Sequence, residues 1–549
     1  MSRKTEIVYL ASVGIIALVM VCESIFLNVG YYTRDDLFGP VSKFPILYVG
    51  LAIGISLTMG YAFRTSLGDD LWKLIVLLLP LVLLVIYLVF LPDAMEKFYV
   101  TNFRDVYYHM ARTMYVVNVG KTTNLDPYFD LQPGIFYSVA SFLIVTGLPP
   151  LLIFKWFPLF FVTLALVPSL VFLGKSFFEN RPNLIAFVFL AVTLTWVSYR
   201  YSYSAQVYSL PLYFIAVALL VRGLTNKSQL ILMITIALAI IVLHQGMALV
   251  MLTTLFAILW FRFIETHALH RNVNRQPYLG FLTFFFLIVW FGYLVFVTVT
   301  TVATLLAAAT LLATVMLTEP FLFIFHGLFG RPSSAYTVQI VYGKLALTII
   351  SYSLALPTSI YLWIRKRDAR IGTILAIILV LSVVIIGLGF AYPGAYGAGF
   401  VERVILIGAP LLALPITSLL SKLQRMRSSL PMVGLLLILI LTGTIYFNSA
   451  RNFEAIRGSE QACNQYLYNI DPIYQPYINA TDAQYGYYLY GTQTLRPASG
   501  FYMLWPTDLI QSSYWLSESD LSNAVAGLNN EGYSLRFYSN SQCTLYSIS

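Results

Sequence analysis

Long apolar runs, separated by short polar or basic segments, set the pattern of this chain from its first residues to about residue 447. Leu74 to Leu91 and Ile371 to Phe390 contain no charged residue, and each is long enough to cross a hydrocarbon core of about 30 Å, which takes about 20 helical residues. Such runs must be helices, because unpaired backbone groups are too costly in lipid. The pattern predicts spans at 7–30, 45–63, 72–92, 151–173, 184–198, 208–222, 229–243, 246–262, 278–300, 340–363, 372–391, 401–419 and 431–447. The apolar stretch Ile135 to Leu148 is only 14 residues long, which suits a helix lying at, or dipping into, the interface. The first run is too long for a signal peptide and lacks a small-residue cleavage site after it.

Three larger segments lie between or after these spans, at 93–150, 301–339 and 448–549. The second, apolar and small-residue-rich from Thr300 to Thr318, reads equally as an interfacial helix or as a further pair of short spans. The last changes character sharply. It holds 13 tyrosines among Asn, Ser, Gln, Asp and Gly, in alternating runs such as Tyr485 to Tyr490 and Tyr533 to Tyr538 that predict strands near the end of a small α/β domain. Aromatic faces of that kind suit sugar stacking as well as packing in a small secreted domain. Asn479-Ala480-Thr481 is a glycosylation acceptor triplet. Four parts result: a transmembrane hairpin at 1–71, a core at 72–300 with the external loop 93–150, an external loop and further spans at 301–447, and an extracytoplasmic domain at 448–549.

Composition agrees: 59% of the residues are apolar and 10% charged, against about 25% charged in soluble domains. The net charge of +9 would suggest nucleic acid for a soluble protein, but the basic residues sort by side instead. With the N-terminus cytoplasmic, Arg3, Lys4, Arg64, Lys73, Lys175, Arg181, Arg222, Lys227, Arg262, Arg271, Arg275, Arg365, Lys366, Arg367, Arg370, Lys422, Arg425 and Arg427 all fall inside. That places the chain in the plasma membrane with its C-terminal domain outside and leaves no role for nucleic acid. Cys463 and Cys543 then share an oxidising compartment. A disulfide between them would close a loop of about 80 residues and contribute roughly 4 kcal/mol.

Candidate chemistry collects on the outer side. Asp105, His109 and Arg112 are spaced four and three apart, so a helix puts them on one face; the bland reading is a solvated amphipathic helix whose Asp and Arg pair. A carboxylate there can deprotonate an acceptor hydroxyl while cations bind phosphate. His244-Gln245 interrupts an apolar run at an external turn, Trp196 to Tyr203 sets Arg200 among aromatics, and Glu402-Arg403 opens a span after the Gly-rich turn Gly394 to Gly399. Each also reads as a turn-capping or snorkelling residue. Together they outline an anion pocket open to the exterior. Asp105, Asp126 and Asp130 could support a divalent metal, but no ligand spacing specifies one.

The order of a span, an external Arg104-Asp105-Val106-Tyr107-Tyr108-His109 helix, the Gln132-Pro133-Gly134 segment with its short interfacial helix ending Gly147-Leu148-Pro149-Pro150, and many further spans resembles the GT-C superfamily of membrane glycosyltransferases. The likeness is to the prokaryotic branch related to protein mannosyltransferases and aminoarabinose transferases, and covers 72–300 with a looser match to about 420. It implies an all-α polytopic membrane protein of about 13 transmembrane helices with a small extracytoplasmic α/β domain, Asp105 as the catalytic acid residue and a polyprenyl-phosphate-linked sugar as donor. Many members carry two adjacent acidic residues in this loop. Here Arg104 precedes Asp105, and the adjacent pair Asp35-Asp36 stands in the shorter loop at 31–44.

The function expected is therefore an inverting glycosyltransferase moving a sugar to an extracytoplasmic glycan, lipid or protein. Asp105 and His109 would be catalytic, and Arg104, Tyr108, Arg112, Arg200, Tyr203, His244, Gln245, Glu402 and Arg403 would bind donor phosphate or substrate. A polysaccharide polymerase or ligase would use the same arginines with a lipid-diphosphate donor. A lipid-linked glycan transporter would need ionisable residues near the bilayer midplane, whereas the charged groups here fall at span ends; a scaffold would leave the external His and Arg residues without a use.

Overall fold

In a computed structural model of the chain, the described residues are 104–121, 133–198, 203–270, 276–297, 335–366, 369–391, 395–424, 501–504, 535–540 and 543–547, with Ser12 and Ile15 ahead of them. They are mostly helical: α1 (Arg104–Val119), α2 (Pro133–Thr146), α3 (Pro150–Phe161), α4 (Val167–Gly174), α5 (Arg181–Ser198), α6 (Ala205–Arg222), α7 (Lys227–Leu243), α8 (Gln245–His267), α9 (Leu279–Val297), α10 (Ala335–Lys366), α11 (Ala369–Ala391) and α12 (Ala395–Gln424). A three-stranded antiparallel sheet follows, β1 (Phe501–Leu504), β2 (Leu535–Asn540) and β3 (Cys543–Ser547), with β3 in the middle. β2 covers most of the Tyr533 to Tyr538 run and carries a bulge between Arg536 and Tyr538.

Helices stand where the apolar runs predict them, and Ile135 to Leu148 folds as the short helix α2. The runs at 7–30, 45–63, 72–92 and 431–447 fall outside the described residues, as do 93–103, 122–132, 301–334 and most of 448–549. One boundary differs. Gly394 to Gly399 reads as a turn, yet α12 already starts at Ala395 and runs for 30 residues, so Glu402 and Arg403 stand in its third turn instead of opening it. Each helical glycine costs about 1 kcal/mol relative to alanine, a cost that a long helix packed in a bundle can offset.

Local signals explain the ends. Ser204 Oγ accepts from Val207 N at 3.4 Å and starts α6; Asn226 Oδ1 accepts from Gln229 N at 2.8 Å and starts α7. α6 stops at Gly223, where φ is +89°, a conformation open to glycine. Between α3 and α4 a π turn, Val162–Leu166, precedes Pro168, whose missing N–H breaks the regular ladder.

α5 is the central element. Every residue from Leu184 to Val192 is buried, and α5 packs chiefly on α12 and also on α4. Gly174 permits the α4 contact, since a Cβ there would lie 2.5 Å from Leu184 Cδ1 and 2.7 Å from Phe187 Cδ1. The outer helices expose apolar stripes at helical spacing: Ile231, Leu238 and Val242 on α7; Leu249, Phe256, Trp260 and Phe263 on α8; Phe281, Phe284, Ile288 and Phe291 on α9. Among the described residues, two helices, Ala205–Arg222 and Gln245–His267, are long and apolar enough to cross a membrane.

One end of the bundle gathers basic side chains into fixed ties. Arg222 donates to Ser176 Oγ at 2.9 Å and to Phe172 O at 3.1 Å, with its guanidinium 4.1 Å from the Phe172 ring centre, and Arg370 donates to Ser176 O at 3.1 Å. Arg262 pairs with Glu265 at 2.9 Å and donates to Ala369 O and Thr373 Oγ1 at 3.0 and 2.8 Å. Trp363 Nε1 donates to Glu265 Oε1 at 2.7 Å. The C-terminal turns of α6, α8 and α10 and the turn after α4 thereby meet the first turns of α11.

Candidate functional site

The opposite end of the bundle holds His109, Arg112, Tyr203, His244 and Gln245, all singled out in sequence. Residues 104–119 do form a helix, so the backbone positions of Asp105, His109 and Arg112 share one face. The solvated-face reading fails, because His109 is 2% and Arg112 0% exposed. Burying a cationic side chain and an imidazole on one helix is expensive unless the surroundings compensate them, and such placements concentrate at functional sites.

Thr113, fully buried on the same helix, ties this face to the start of α6. Its Oγ1 donates to His109 O at 2.8 Å and lies 2.7 Å from Tyr203 Oη. A threonine hydroxyl has one hydrogen; with that hydrogen on His109 O, Tyr203 donates to Thr113. Tyr203 is itself fully buried, with Phe154 and Phe157 at ring-centre distances of 4.8 and 5.2 Å and His109 edge-on at 6.1 Å. Burial pushes the Tyr203 phenol well above its usual range, with the Thr113 bond opposing in part. Tyr203 is thus a neutral donor at physiological pH and no base.

α2 carries the arrangement across to the α7–α8 junction. Phe136, in its first turn, sits 5.7 Å from the His109 ring, centre to centre. Gly134, two residues earlier, lies so close to α7 that a Cβ would come within 3.1 Å of Val242 O and 3.2 Å of Leu243 Cδ2. His244 follows directly. The first turn of α2 is therefore wedged between His109 and the end of α7 at Val242 and Leu243, the residues just before His244.

His244 separates two helices. It ends α7 in an extended conformation, and its Nδ1 accepts from Met247 N at 3.0 Å, capping α8. That bond assigns the N–H to Nε2 whenever the ring is neutral. Gln245 has a structural employment: its Nε2 donates to Ile241 O at 2.7 Å and its Oε1 accepts from Trp290 Nε1 at 2.9 Å, fastening α7, α8 and α9.

Other expected residues are placed by backbone alone. Arg104, Asp105 and Tyr108 belong to the first two turns of α1, and Glu402 and Arg403 to α12, with side chains outside the described residues. Arg200, Asp126, Asp130 and Cys463 also fall outside them. Cys543 opens β3 opposite Asn540, so the expected disulfide is not among the described contacts. Among the described residues no group of three His, Cys, Asp or Glu could hold a metal.

Two participants went unseen in sequence. Thr113 is four residues after His109, so the helical spacing that grouped Asp105 with His109 would also have found it. Gln206, 4% exposed and beside Tyr203 at the start of α6, has a buried Oε1 with no hydrogen-bond partner among the described residues; nothing in its sequence context marks it. Compared with models of known protein families and with curated proteins, the chain finds no match.

Proposed function

We propose that this protein is a polytopic membrane glycosyltransferase that moves a sugar from a polyprenyl-phosphate donor to an extracytoplasmic acceptor, inverting the anomeric centre. The observation that carries the reading is the joint burial of His109 and Arg112 on the helix that begins Arg104-Asp105, at the end of the bundle opposite the basic ties. The lipid-facing stripes on α7, α8 and α9 support a multi-pass chain, and the alternation of those helices supports a cytoplasmic side at the basic end. The β1–β3 sheet belongs, in this reading, to an external α/β domain that meets the acceptor.

Asp105 takes the proton of the acceptor hydroxyl as its oxygen bonds to the anomeric carbon; the bond from that carbon to the lipid phosphate breaks, and polyprenyl phosphate leaves. His109, beside the α2 first turn, and His244, which follows the α7 end that this turn packs on, receive the phosphate charge together with Arg200 and Arg403. Arg112, fully enclosed on the same face of α1, acts through its field rather than by contact. Tyr203 and Thr113 hold the His109 turn in place.

The test is transfer in isolated membranes with a labelled polyprenyl-phosphate sugar. Asp105→Asn keeps shape and polarity while removing the proton acceptor, so turnover should fall by roughly 10² to 10⁴-fold with donor binding little changed. Full turnover in that variant would end the assignment of Asp105 as base, and the absence of any transfer by the unaltered protein across sugar donors would end the enzyme reading.

A further inference from the structure

A cavity of about 510 Å³ opens at the basic end of the bundle, between the turn after α4 and helices α5, α10, α11 and α12. Its lining is mixed, with charged groups at the mouth and both serines and apolar side chains further in. Arg370, in the first turn of α11, and Lys422, in the last turn of α12, stand at the mouth with Asn180, Glu179 and Ser421. Ile374 lies one turn deeper along α11, and Leu414 and Pro415 lie seven to eight residues deeper along α12, which is about 11 Å at the helical rise. Asn180 directly precedes α5, so the positive end of an 18-residue helix also faces this mouth.

The chemistry of the lining selects its occupant. Two cations and one carboxylate leave a single positive charge among the lining side chains, matched to a singly charged phosphodiester better than to a dianionic phosphate monoester. Lys422 is held in place by the Tyr361 ring, 4.4 Å from its Nζ, and Arg370 by its bond to Ser176 O at 3.1 Å; both cations are thus positioned before a ligand arrives. Further in, Leu362, Ile374, Leu414 and Pro415 give an apolar wall beside Ser359 and Ser418, along which the glycerol and first acyl carbons of a lipid can lie.

We infer that this cavity is a binding site for the phosphodiester headgroup of an anionic phospholipid from the leaflet at the basic end, separate from the donor site at the other end. The inference rests on the membrane reading above. It is tested with the full chain in detergent, by native mass spectrometry after addition of phosphatidylglycerol, phosphatidylcholine or glycerol 3-phosphate. Phosphatidylglycerol should be retained in preference to phosphatidylcholine, and Lys422→Gln should lower that retention about fivefold, while Lys227→Gln, an exposed cation of the same end outside the cavity, should leave it unchanged. Arg370→Gln should act like Lys422→Gln; because Arg370 also ties Ser176, the Lys422 variant carries the decision.

Equal loss in the Lys227 and Lys422 variants, equal retention of both lipids, or displacement of phosphatidylglycerol by equimolar glycerol 3-phosphate would overturn the site, the last by showing a soluble phosphate as its ligand. Resistance of the protein to alkaline carbonate extraction reads membrane insertion independently. A fully inserted protein without lipid preference removes the site and leaves the membrane reading standing.

Discussion

The two ends of the bundle bury polar groups in opposite styles. At the basic end, Arg262, Glu265, Trp363 and Thr373 satisfy one another across three helices with distances of 2.7 to 2.9 Å, and the polar atoms serve as staples. At the other end His109 is enclosed beside the rings of Phe136 and Tyr203, Arg112 and Gln206 are buried as well, and α2 is inserted between α1 and α7. Charge–charge staples among helix ends fix a bundle, whereas a buried cation and a buried imidazole on one helix carry the anion site proposed above. The difference separates an end whose polar groups are spent on the frame from the end where the proposed chemistry would lie.

The sharpest way to break this comparison is topological, with an all-or-none outcome. Cysteines introduced at Thr122 and Lys366 should react with an impermeant thiol reagent from opposite sides of sealed membranes; labelling from one side would place both ends on the same face. The next largest effect belongs to the staple. Glu265→Ala leaves Arg262 without its carboxylate in a site where the Glu side chain is 3% exposed, so thermal unfolding in detergent should show a loss of about 3 kcal/mol, with donor affinity per folded molecule unaltered.

His244 discriminates frame from chemistry in one position. His244→Ala removes the cap on Met247 N and should cost about 1 kcal/mol, whereas His244→Asn, a good capping residue, should restore most of that stability. Donor affinity should stay low in both. If asparagine restores affinity along with stability, His244 is a cap and nothing more. Tyr203→Phe should give the smallest change, about 0.5 to 1 kcal/mol for one buried hydrogen bond, with turnover nearly unaltered, because Tyr203 contacts the His109 turn through Thr113 and takes no part in proton transfer.

Much of this was legible along the chain. Long apolar runs became helices with starts two or three residues from those expected at Lys227–Leu243 and Ala369–Ala391 and five or six at Ala335–Lys366 and Ala395–Gln424, because helical hydrogen bonding is local. Interruptions such as His244-Gln245 were equally plain, since a polar pair inside an apolar run has few explanations. Gly394 to Gly399 misled: glycine content suggests a turn by local preference, and α12 absorbs it.

The sequence by itself determined the helices, the short α2 and the sharing of a face by Asp105, His109 and Arg112, all of which follow from periodicity within a few turns. Only the tertiary structure decided that His109 and Arg112 on this face are buried, that Thr113 and Tyr203, 90 positions apart, meet, and that Gln245 bonds Trp290. It also decided that Arg370 and Lys422 share one cavity. The physical reason is one of range: backbone hydrogen bonding and side-chain spacing act over four residues, while burial and the pairing of polar groups depend on which helix arrives alongside, and apolar surfaces of similar composition carry no address that names their partner.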